Sequence, residues 1–254
     1  MERVRSGENQ AQIAADLGVS QAAISQTLTK AEEKERQDAE RAELARAVTS
    51  DSDLPAGIAV WTGDFRELGA KIPDGSVSLI FTDPPYAEKF IPLYGDLAQL
   101  GARVLKPGGS LICYCGHYAL PSIFSLMTLH LRFWWVLALE HTESKQLPGK
   151  WVNAAWKPLL WFVKDHRANN NYVRDLISTA GPEKKLHDWQ QSTTEATYCI
   201  ERLTEQEELI LDPMAGSGTT LVAALGAGRQ ALGVELDPKT ANIMRGRLCG
   251  HNDS

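Results

Sequence analysis

The amino-acid sequence predicts an α/β protein with a doubly wound, mostly parallel sheet, an antiparallel edge strand and a small N-terminal helical segment. Three observations support this prediction. Apolar runs of strand length alternate with helical patterns between residues 58 and 131. Two aromatic-rich runs, 133–139 and 158–163, follow closely enough to favour antiparallel pairing. A further strand–helix–strand unit occupies residues 208–235.

The composition is that of a globular protein large enough for one domain and a small appendage. The chain has 254 residues, of which 43% are hydrophobic and 23% charged. It has no apolar run of membrane-spanning length and no signal-peptide pattern, so we expect a cytoplasmic protein with no membrane partner. The four cysteines are scattered, so we expect neither a disulfide framework nor a required metal.

The N-terminal segment has the pattern of a helix–turn–helix. Ile13 and Leu17 lie at helical spacing, Gly18 suits the left-handed residue that ends a helix, and Ser20 suits the cap of the next helix. The pattern resembles bacterial helix–turn–helix DNA binders, which would place the second helix in the major groove.

A charge-rich stretch without proline or glycine, residues 30–48, predicts a solvated connecting helix. The following segment, 49–55, has the composition of a linker. We therefore predict two domains, with the helix–turn–helix and connecting helix in residues 1–48 and the main domain in residues 49–254.

The central motif of the main domain is Asp83-Pro84-Pro85-Tyr86, which follows the apolar strand Val77–Thr82 directly. Two prolines donate no ladder hydrogen bonds, so the strand must end there. Ligands bind at this carboxyl edge in open α/β sheets. The turn offers a carboxylate, free backbone carbonyls and an aromatic face, which suit a planar ring with an exocyclic amine.

A second motif joins a strand, a glycine turn and a helix. The strand Glu208–Leu211 leads into Asp212-Pro213-Met214-Ala215-Gly216-Ser217-Gly218-Thr219-Thr220. The glycines allow close approach of a ligand to the backbone, and the helix start supplies N–H donors. Glu235 follows Asp212 by 23 residues, the spacing expected for a carboxylate that binds ribose hydroxyls. Because a carboxylate repels phosphate, Asp212 favours a cationic ligand with an amino group.

Gly63-Asp64-Phe65 follows the short strand Ile58–Trp61. A carboxylate just past a strand end can accept a hydrogen bond from an adenine amine, while Phe65 packs on the ring. Asp64 and Phe65 can therefore hold an adenine ring, and the alternative is that Gly-Asp forms an ordinary turn.

Together these motifs resemble the S-adenosylmethionine-dependent amino-methyltransferases, which methylate the exocyclic amine of adenine or cytosine in nucleic acid. The catalytic motif precedes the glycine loop, as in the β group, and the resemblance spans residues 58–248. It implies a Rossmann-like, circularly permuted class I methyltransferase fold. The catalytic residues it implies are Asp83, Pro84, Pro85 and Tyr86. The cofactor-binding residues it implies are Asp64, Phe65, Asp83, Asp212, Pro213, Met214, Gly216, Ser217, Gly218, Thr219, Thr220 and Glu235.

The resemblance also implies a target-recognition segment between the two halves, at about residues 141–187. This segment has eight cations and four anions in a chain of net charge -6, so it can bind phosphates. We therefore expect double-stranded DNA as the partner, together with the homodimer that is common in the family.

The predicted function is site-specific methylation of the N6 amine of adenine in DNA. Asp as the first residue of the catalytic motif favours adenine, because the cytosine enzymes more often begin it with Ser. Three alternatives remain open at this point: N4-cytosine methylation of DNA, methylation of RNA or of a protein amide, and a DNA-binding regulator with an inactive methyltransferase fold.

Overall fold

The computed structural model describes residues 9–49, 53–147, 149–167, 171–178 and 194–250. The chain divides into two compact units, which meet between Leu44 and Ala45. None of the helices in the described ranges is long and apolar enough to cross a membrane.

The N-terminal unit contains helix α1 (Gln10–Leu17) and the start of helix α2 (Gln21–Thr49). The predicted cap residues have the expected geometry: Gly18 has a left-handed φ of 66°, and the Ser20 hydroxyl accepts a hydrogen bond from Ala23 N at 3.1 Å. The second helix of the pattern and the predicted connecting helix form one continuous helix, because residues 21–49 contain no proline or glycine. Its role as a DNA-binding motif stays a prediction, as does the domain boundary after residue 48.

The C-terminal unit is built on a mixed sheet with helices. The strands are β1 (Ile58–Thr62), β2 (Val77–Thr82), β3 (Leu105–Tyr114), β4 (Arg132–Leu147), β5 (Val152–Val163), β6 (Leu176–Ser178), β7 (Leu209–Asp212) and β8 (Gln230–Glu235). The helices are α3 (Phe65–Leu68), α4 (Pro92–Val104), α5 (Leu120–Met127), α6 (Thr194–Leu203), α7 (Thr219–Gly226) and α8 (Pro238–Leu248).

The strand order is β1-β8-β7-β2-β3-β5-β4-β6, and all neighbours are parallel except the two pairs that involve β5. The predicted fold class, a mostly parallel sheet with an antiparallel strand, is confirmed. The antiparallel strand lies inside the sheet, between β3 and β4, rather than at its edge. The chain order reverses between β7 and β2, which makes this pair the topological switch point.

The central strands are buried on both faces, as their apolar sequences predict. Every residue of β2 is buried, and so is every residue of β7. One core cluster joins the strand residues Leu79, Ile112 and Ile210 to helix residues such as Ile200 and Leu221. This packing fixes the ends of β2 and β7 within one rigid sheet.

Three strands are longer than predicted. The Lys106–Gly109 stretch, whose proline and glycines are typical of a turn, belongs to β3: Gly108 N donates to Lys164 O at 2.9 Å, and Lys164 N donates to Gly109 O at 3.0 Å. Strands β4 and β5 also extend beyond the predicted 133–139 and 158–163, and Leu147 pairs with Val152 close to the turn that joins them. We call this extension, residues 145–147 and 149–154, the β4–β5 ribbon.

Candidate active site

The switch point brings the two predicted motifs together. Strands β2 and β7 are hydrogen-bonded neighbours, with Ile80 opposite Leu211. Asp83 follows the end of β2, and Asp212 is the last residue of β7. The catalytic motif and the glycine loop therefore start side by side at the carboxyl edge of the sheet.

A cavity of about 560 Å³ opens at this edge, a volume typical of small-molecule sites. The predicted site residues among its lining are Asp64, Phe65, Asp83, Pro85, Pro213, Met214 and Glu235. The other lining residues are Gly63, Arg66, Lys89, Phe90, Pro92, Leu93, Asp96 and Leu236. The predicted residues outside the lining are Pro84, Tyr86, Asp212, Gly216, Ser217, Gly218, Thr219 and Thr220.

Asp64 has a structural contact in addition to its place in the cavity wall. Its carboxylate caps α3 by accepting from Arg66 N at 2.9 Å, and it pairs with the Arg66 guanidinium at 2.5 Å. The hydrogen bond from the Arg66 side chain is the main cause that lowers the pKa of Asp64. The carboxylate is therefore ionised at neutral pH, and both of its oxygens accept from Arg66.

The glycine loop has backbone angles and clearances that exclude larger residues. Gly216 and Gly218 have φ values of 51° and 83°, and a Cβ on Gly218 would lie 2.6 Å from Met244 Cγ. Glu235 Oε2 accepts from Gly216 N at 2.8 Å. This bond ties the loop to the end of β8 and places the Glu235 carboxylate beside it.

Ser217 and Thr219 have side chains that contact Arg247 of α8. The Arg247 guanidinium donates to Ser217 Oγ at 3.3 Å and to Thr219 Oγ1 at 3.1 Å. These hydroxyls are thus engaged by the protein itself, so the loop would contact a ligand chiefly through its backbone N–H groups. Their predicted role in cofactor binding stays a prediction.

Asp212 is buried, with 4% of its surface exposed. Burial is the main cause that raises its pKa to about 6, and the nearby Asp83 anion adds to the shift. Met214 N donates to its Oδ1 at 3.2 Å. A buried carboxylate with a raised pKa favours a cationic partner, because the cation would offset the cost of removing the charge from water.

The catalytic motif lies partly open at the end of β2. Pro84 is buried, whereas the Asp83 side chain is 48% exposed. The Tyr86 hydroxyl donates a hydrogen bond to Asp83 Oδ1, and the Tyr118 hydroxyl donates to Tyr86 O. Burial, together with the bond to Asp83, raises the pKa of Tyr86, so this hydroxyl stays protonated.

Lys157 is a neighbour of this motif that sequence reasoning missed. It was counted only as one cation of the basic segment, yet its ammonium lies 3.3 Å from Asp83 Oδ2. It also lies 4.4 Å from the ring centroid of Tyr86 and 4.2 Å from that of Tyr114. The sequence carries no local signal for this contact, because the lysine is 74 residues from Asp83.

These features fit a nucleoside cofactor with a cationic amino acid tail. The cavity is lined by carboxylates that can accept from amino and hydroxyl groups and by Phe65, whose ring can pack on a purine. The glycine loop lies beside the cavity, because its Gly216 donates to the lining residue Glu235. No group of three or more His, Cys, Asp or Glu in the described ranges could hold a metal ion. Fold and site together define a class I methyltransferase.

Comparison with known proteins defines the family. Residues 77–245, more than half of the chain, match the N6/N4 DNA methylase family. The chain is therefore a member of this family of S-adenosylmethionine-dependent DNA amino-methyltransferases.

Individual proteins agree with this assignment. The type II methyltransferase M2.DpnII of Streptococcus pneumoniae is 28% identical over 78% of this chain and 91% of its own length. The type II methyltransferase M.BglII of Bacillus subtilis is 23% identical over 76% and 69%, respectively. The putative DNA modification methylase TTHA0409 of Thermus thermophilus, solved in complex with S-adenosyl-L-methionine, superposes with a TM-score of 0.62 at 22% identity, over 76% of this chain and 95% of that one.

Proposed function

We propose that the protein methylates the N6 amine of adenine at a specific site in double-stranded DNA. The observation that carries this proposal is the position of Asp83, which lines the cofactor-sized cavity from the end of β2 next to the glycine loop. The target base and the methyl donor would therefore meet at one edge of the sheet. The Asp that begins the catalytic motif favours adenine over cytosine.

In this proposal the cavity residues, together with Asp212 and the glycine loop beside the cavity, hold S-adenosylmethionine, which supplies an electrophilic methyl group when bound. Asp64 and Phe65 bind its adenine, and Glu235 accepts from the ribose hydroxyls. Asp212 pairs with its amino group, and Pro213 and Met214 pack beside it. The loop from Gly216 to Thr220 contributes backbone N–H donors and the close approach that glycine allows.

Residues 83–86 would receive the target base. A base inside a duplex cannot reach the cavity, so it must leave the stack at a cost of a few kcal/mol. The ring of Tyr86, 39% exposed, offers a stacking face. The target amine donates one hydrogen bond to the Asp83 carboxylate and one to the Pro84 carbonyl, and these bonds draw the nitrogen lone pair out of conjugation with the ring. Pro85 stiffens the turn, so these acceptors are preorganised.

The β4–β5 ribbon is proposed to contact the DNA, as part of the recognition segment at 141–187. Its turn carries Lys150 and Trp151, and the Trp151 side chain is 95% exposed at a left-handed φ of 55°. A two-stranded ribbon fits the major groove. A photo-cross-linker placed at residue 151 would test this contact, and we expect it to form a covalent adduct with DNA. The absence of such an adduct under conditions in which the protein binds DNA would count against the contact. Of the rest of the segment, residues 168–170 and 179–187 lie outside the described ranges.

The decisive test is transfer of labelled methyl groups to unmodified duplex DNA, followed by nucleoside separation. Label in N6-methyladenine is the expected result. Label in N4-methylcytosine would leave the mechanism intact and reverse the choice of base. Label in neither nucleoside would overturn the proposal and favour methylation of RNA or of a protein amide, or an inactive DNA-binding regulator.

Replacing Asp83 with Ala tests the catalytic assignment. We expect a loss of transfer of about a hundredfold or more, with cofactor affinity largely retained. Asp96→Ala is a matched control, because Asp96 lines the same cavity but has no proposed contact with the amine. Near-normal turnover by Asp83→Ala would show that the catalytic residue lies elsewhere.

A homodimer is also proposed, on the resemblance to the β group alone. Sedimentation equilibrium of the full chain would measure it. A mass that stays at 27.9 kDa across the concentration range would contradict the dimer.

A further inference from the structure

Lys157 lies beside the catalytic motif because its strand, β5, is antiparallel to both of its neighbours in the sheet. Strand β5 is antiparallel to β3, with Leu159 opposite Tyr114. Lys157 therefore lies near the carboxyl ends of β2 and β3, although it lies in the middle of its own strand. Its ammonium approaches both oxygens of Asp83, at 3.3 and 3.5 Å.

Two aromatic rings fix the ammonium in place. It lies over Tyr86 at 4.4 Å and over Tyr114 at 4.2 Å, both within the range of cation–π attraction. A lysine side chain has many rotamers in water. Contact with two ring faces removes most of them, so Lys157 has a defined position at the site.

Tyr114 is itself held at both ends. Its hydroxyl donates to the buried Glu195 at 2.8 Å, and its carbonyl accepts from the Tyr94 hydroxyl at 2.9 Å. Tyr114 is 7% exposed and Glu195 is 6% exposed. The ring of Tyr114 is thus held in the protein interior. Lys157 contacts this ring and also Asp83, so it links the exposed carboxylate to the interior.

Asp83 has little other support. Its side chain is 48% exposed, and its one further described side-chain contact is with Tyr86, which is also exposed. An ion pair this open to solvent contributes little to folding stability. The pair with Lys157 therefore matters for the direction of the carboxylate, which decides whether an amine finds its acceptor.

We propose that Lys157 is a positioning residue for methyl transfer, which holds the Asp83 carboxylate and the Tyr86 ring in the orientation that receives the target amine. The inference rests on the proposed function of Asp83. A carboxylate has about four acceptor positions. Lys157 and the Tyr86 hydroxyl use two, so acceptor positions remain for the amine.

The rival role for a cation here is a phosphate contact, which has a different kinetic signature. A phosphate contact changes DNA affinity and lowers its salt dependence by about one ion per lysine. A positioning contact changes the rate of transfer in the assembled complex. Single-turnover rates at saturating DNA and cofactor, with separate titrations for each Kd, separate the two roles.

The variant to test is Lys157→Met, which keeps the length of the side chain and removes its charge. We expect the single-turnover rate to fall about tenfold to a hundredfold, with unchanged Kd values for S-adenosylmethionine and DNA. Lys106→Met is the matched control: Lys106 pairs with Glu208 at comparable exposure, near the amino end of β3. It should keep the wild-type rate.

A charge-rescue experiment excludes a merely structural effect. Lys157→Cys should be as slow as Lys157→Met, and alkylation with 2-bromoethylamine should restore an ammonium at the same distance and most of the rate. Wild-type protein treated in the same way controls for the partly exposed Cys249.

Two results would overturn the inference while the proposed function stands. One is a wild-type rate in Lys157→Met. The other is a weaker DNA affinity with a reduced salt slope and an unchanged single-turnover rate. If wild-type protein transfers no methyl group to DNA, the proposed function and this inference fail together.

Discussion

At the scale of single residues, the site sets two carboxylates in contrasting environments. Asp83 is half exposed and paired with a lysine, whereas Asp212 is buried and has a pKa raised to about 6. Burial raises the pKa of Asp212, and a cation bound beside its carboxylate would lower that pKa again. The contrast suits one carboxylate that receives a neutral amine and another that binds a charged one.

The raised pKa of Asp212 has a defined effect on stability. The native state holds this proton more tightly than the unfolded chain, whose Asp titrates near 4, so stability falls as the pH rises from about 4 to about 6. The full effect is about 3 kcal/mol, at 1.36 kcal/mol per pH unit. Asp212→Asn should therefore raise the free energy of unfolding of the ligand-free protein more at pH 8 than at pH 5, which urea denaturation at both values would measure.

The same residue predicts the pH dependence of cofactor binding. Because the ionised carboxylate would pair with the amino group, affinity for S-adenosylmethionine should rise with pH up to about 6 and level off above it. Calorimetric titration between pH 5 and 8 would follow this change. Asp212→Asn should bind more weakly with a flat profile, and a variant that keeps the wild-type profile would remove Asp212 from the amino-group site.

At the scale of elements, the turn between β7 and α7 depends on one glycine. Gly218→Ala would impose a left-handed φ on alanine and place its Cβ 2.6 Å from Met244 Cγ. We expect a loss of about 1–3 kcal/mol of stability and weaker cofactor binding, because Met244 or the loop must shift. Thermal denaturation and calorimetry would measure both.

Gly226→Ala is the matched control within the same helix. Gly226 lies at the end of α7, and an added Cβ would meet no atom within 4 Å. Alanine is the better helix former there, so this variant should be neutral or more stable, with unchanged cofactor affinity. Equal losses from the two variants would mean that the turn geometry at Gly218 is unimportant.

At the scale of the whole molecule, the sequence predicted the features that depend on local breaks in secondary structure, where proline or glycine ends a strand. A buried strand that ends in two prolines, and another that ends in a glycine turn, locate Asp83 and Asp212 without any structure. Ligand sites in such sheets lie at the switch point, and the structure places both residues there, at the ends of the paired strands β2 and β7.

The features that depend on distant partners could not be predicted. Gly108 and Gly109 have turn composition, yet they extend β3 because Lys164 pairs with both of their backbones. Lys157 reaches Asp83 only because β5 inserts antiparallel between β3 and β4. The sequence around the two glycines does not indicate the pairing with Lys164, and the sequence around Asp83 does not indicate the contact with Lys157.

The division into two units predicts that the main domain works without the helices. The family match lies within residues 77–245, and the compact units divide after Leu44. A chain that begins at Asp53 should therefore keep the thermal stability and cofactor affinity of the full chain. If the helix–turn–helix binds DNA, its loss should raise the Kd for DNA about tenfold or more, through the lost effective concentration of a second module.

A point variant distinguishes this binding role from a general effect of truncation. Gln21→Glu adds an anion to the first turn of α2, where it favours the helix and repels phosphate. The full-length variant should keep its helix content and single-turnover rate, while its Kd for DNA rises as in the shortened chain. Equal DNA affinity for full-length, variant and shortened chains would rule out DNA binding by the helices. Unfolding of the shortened chain would show instead that the main domain depends on them for stability.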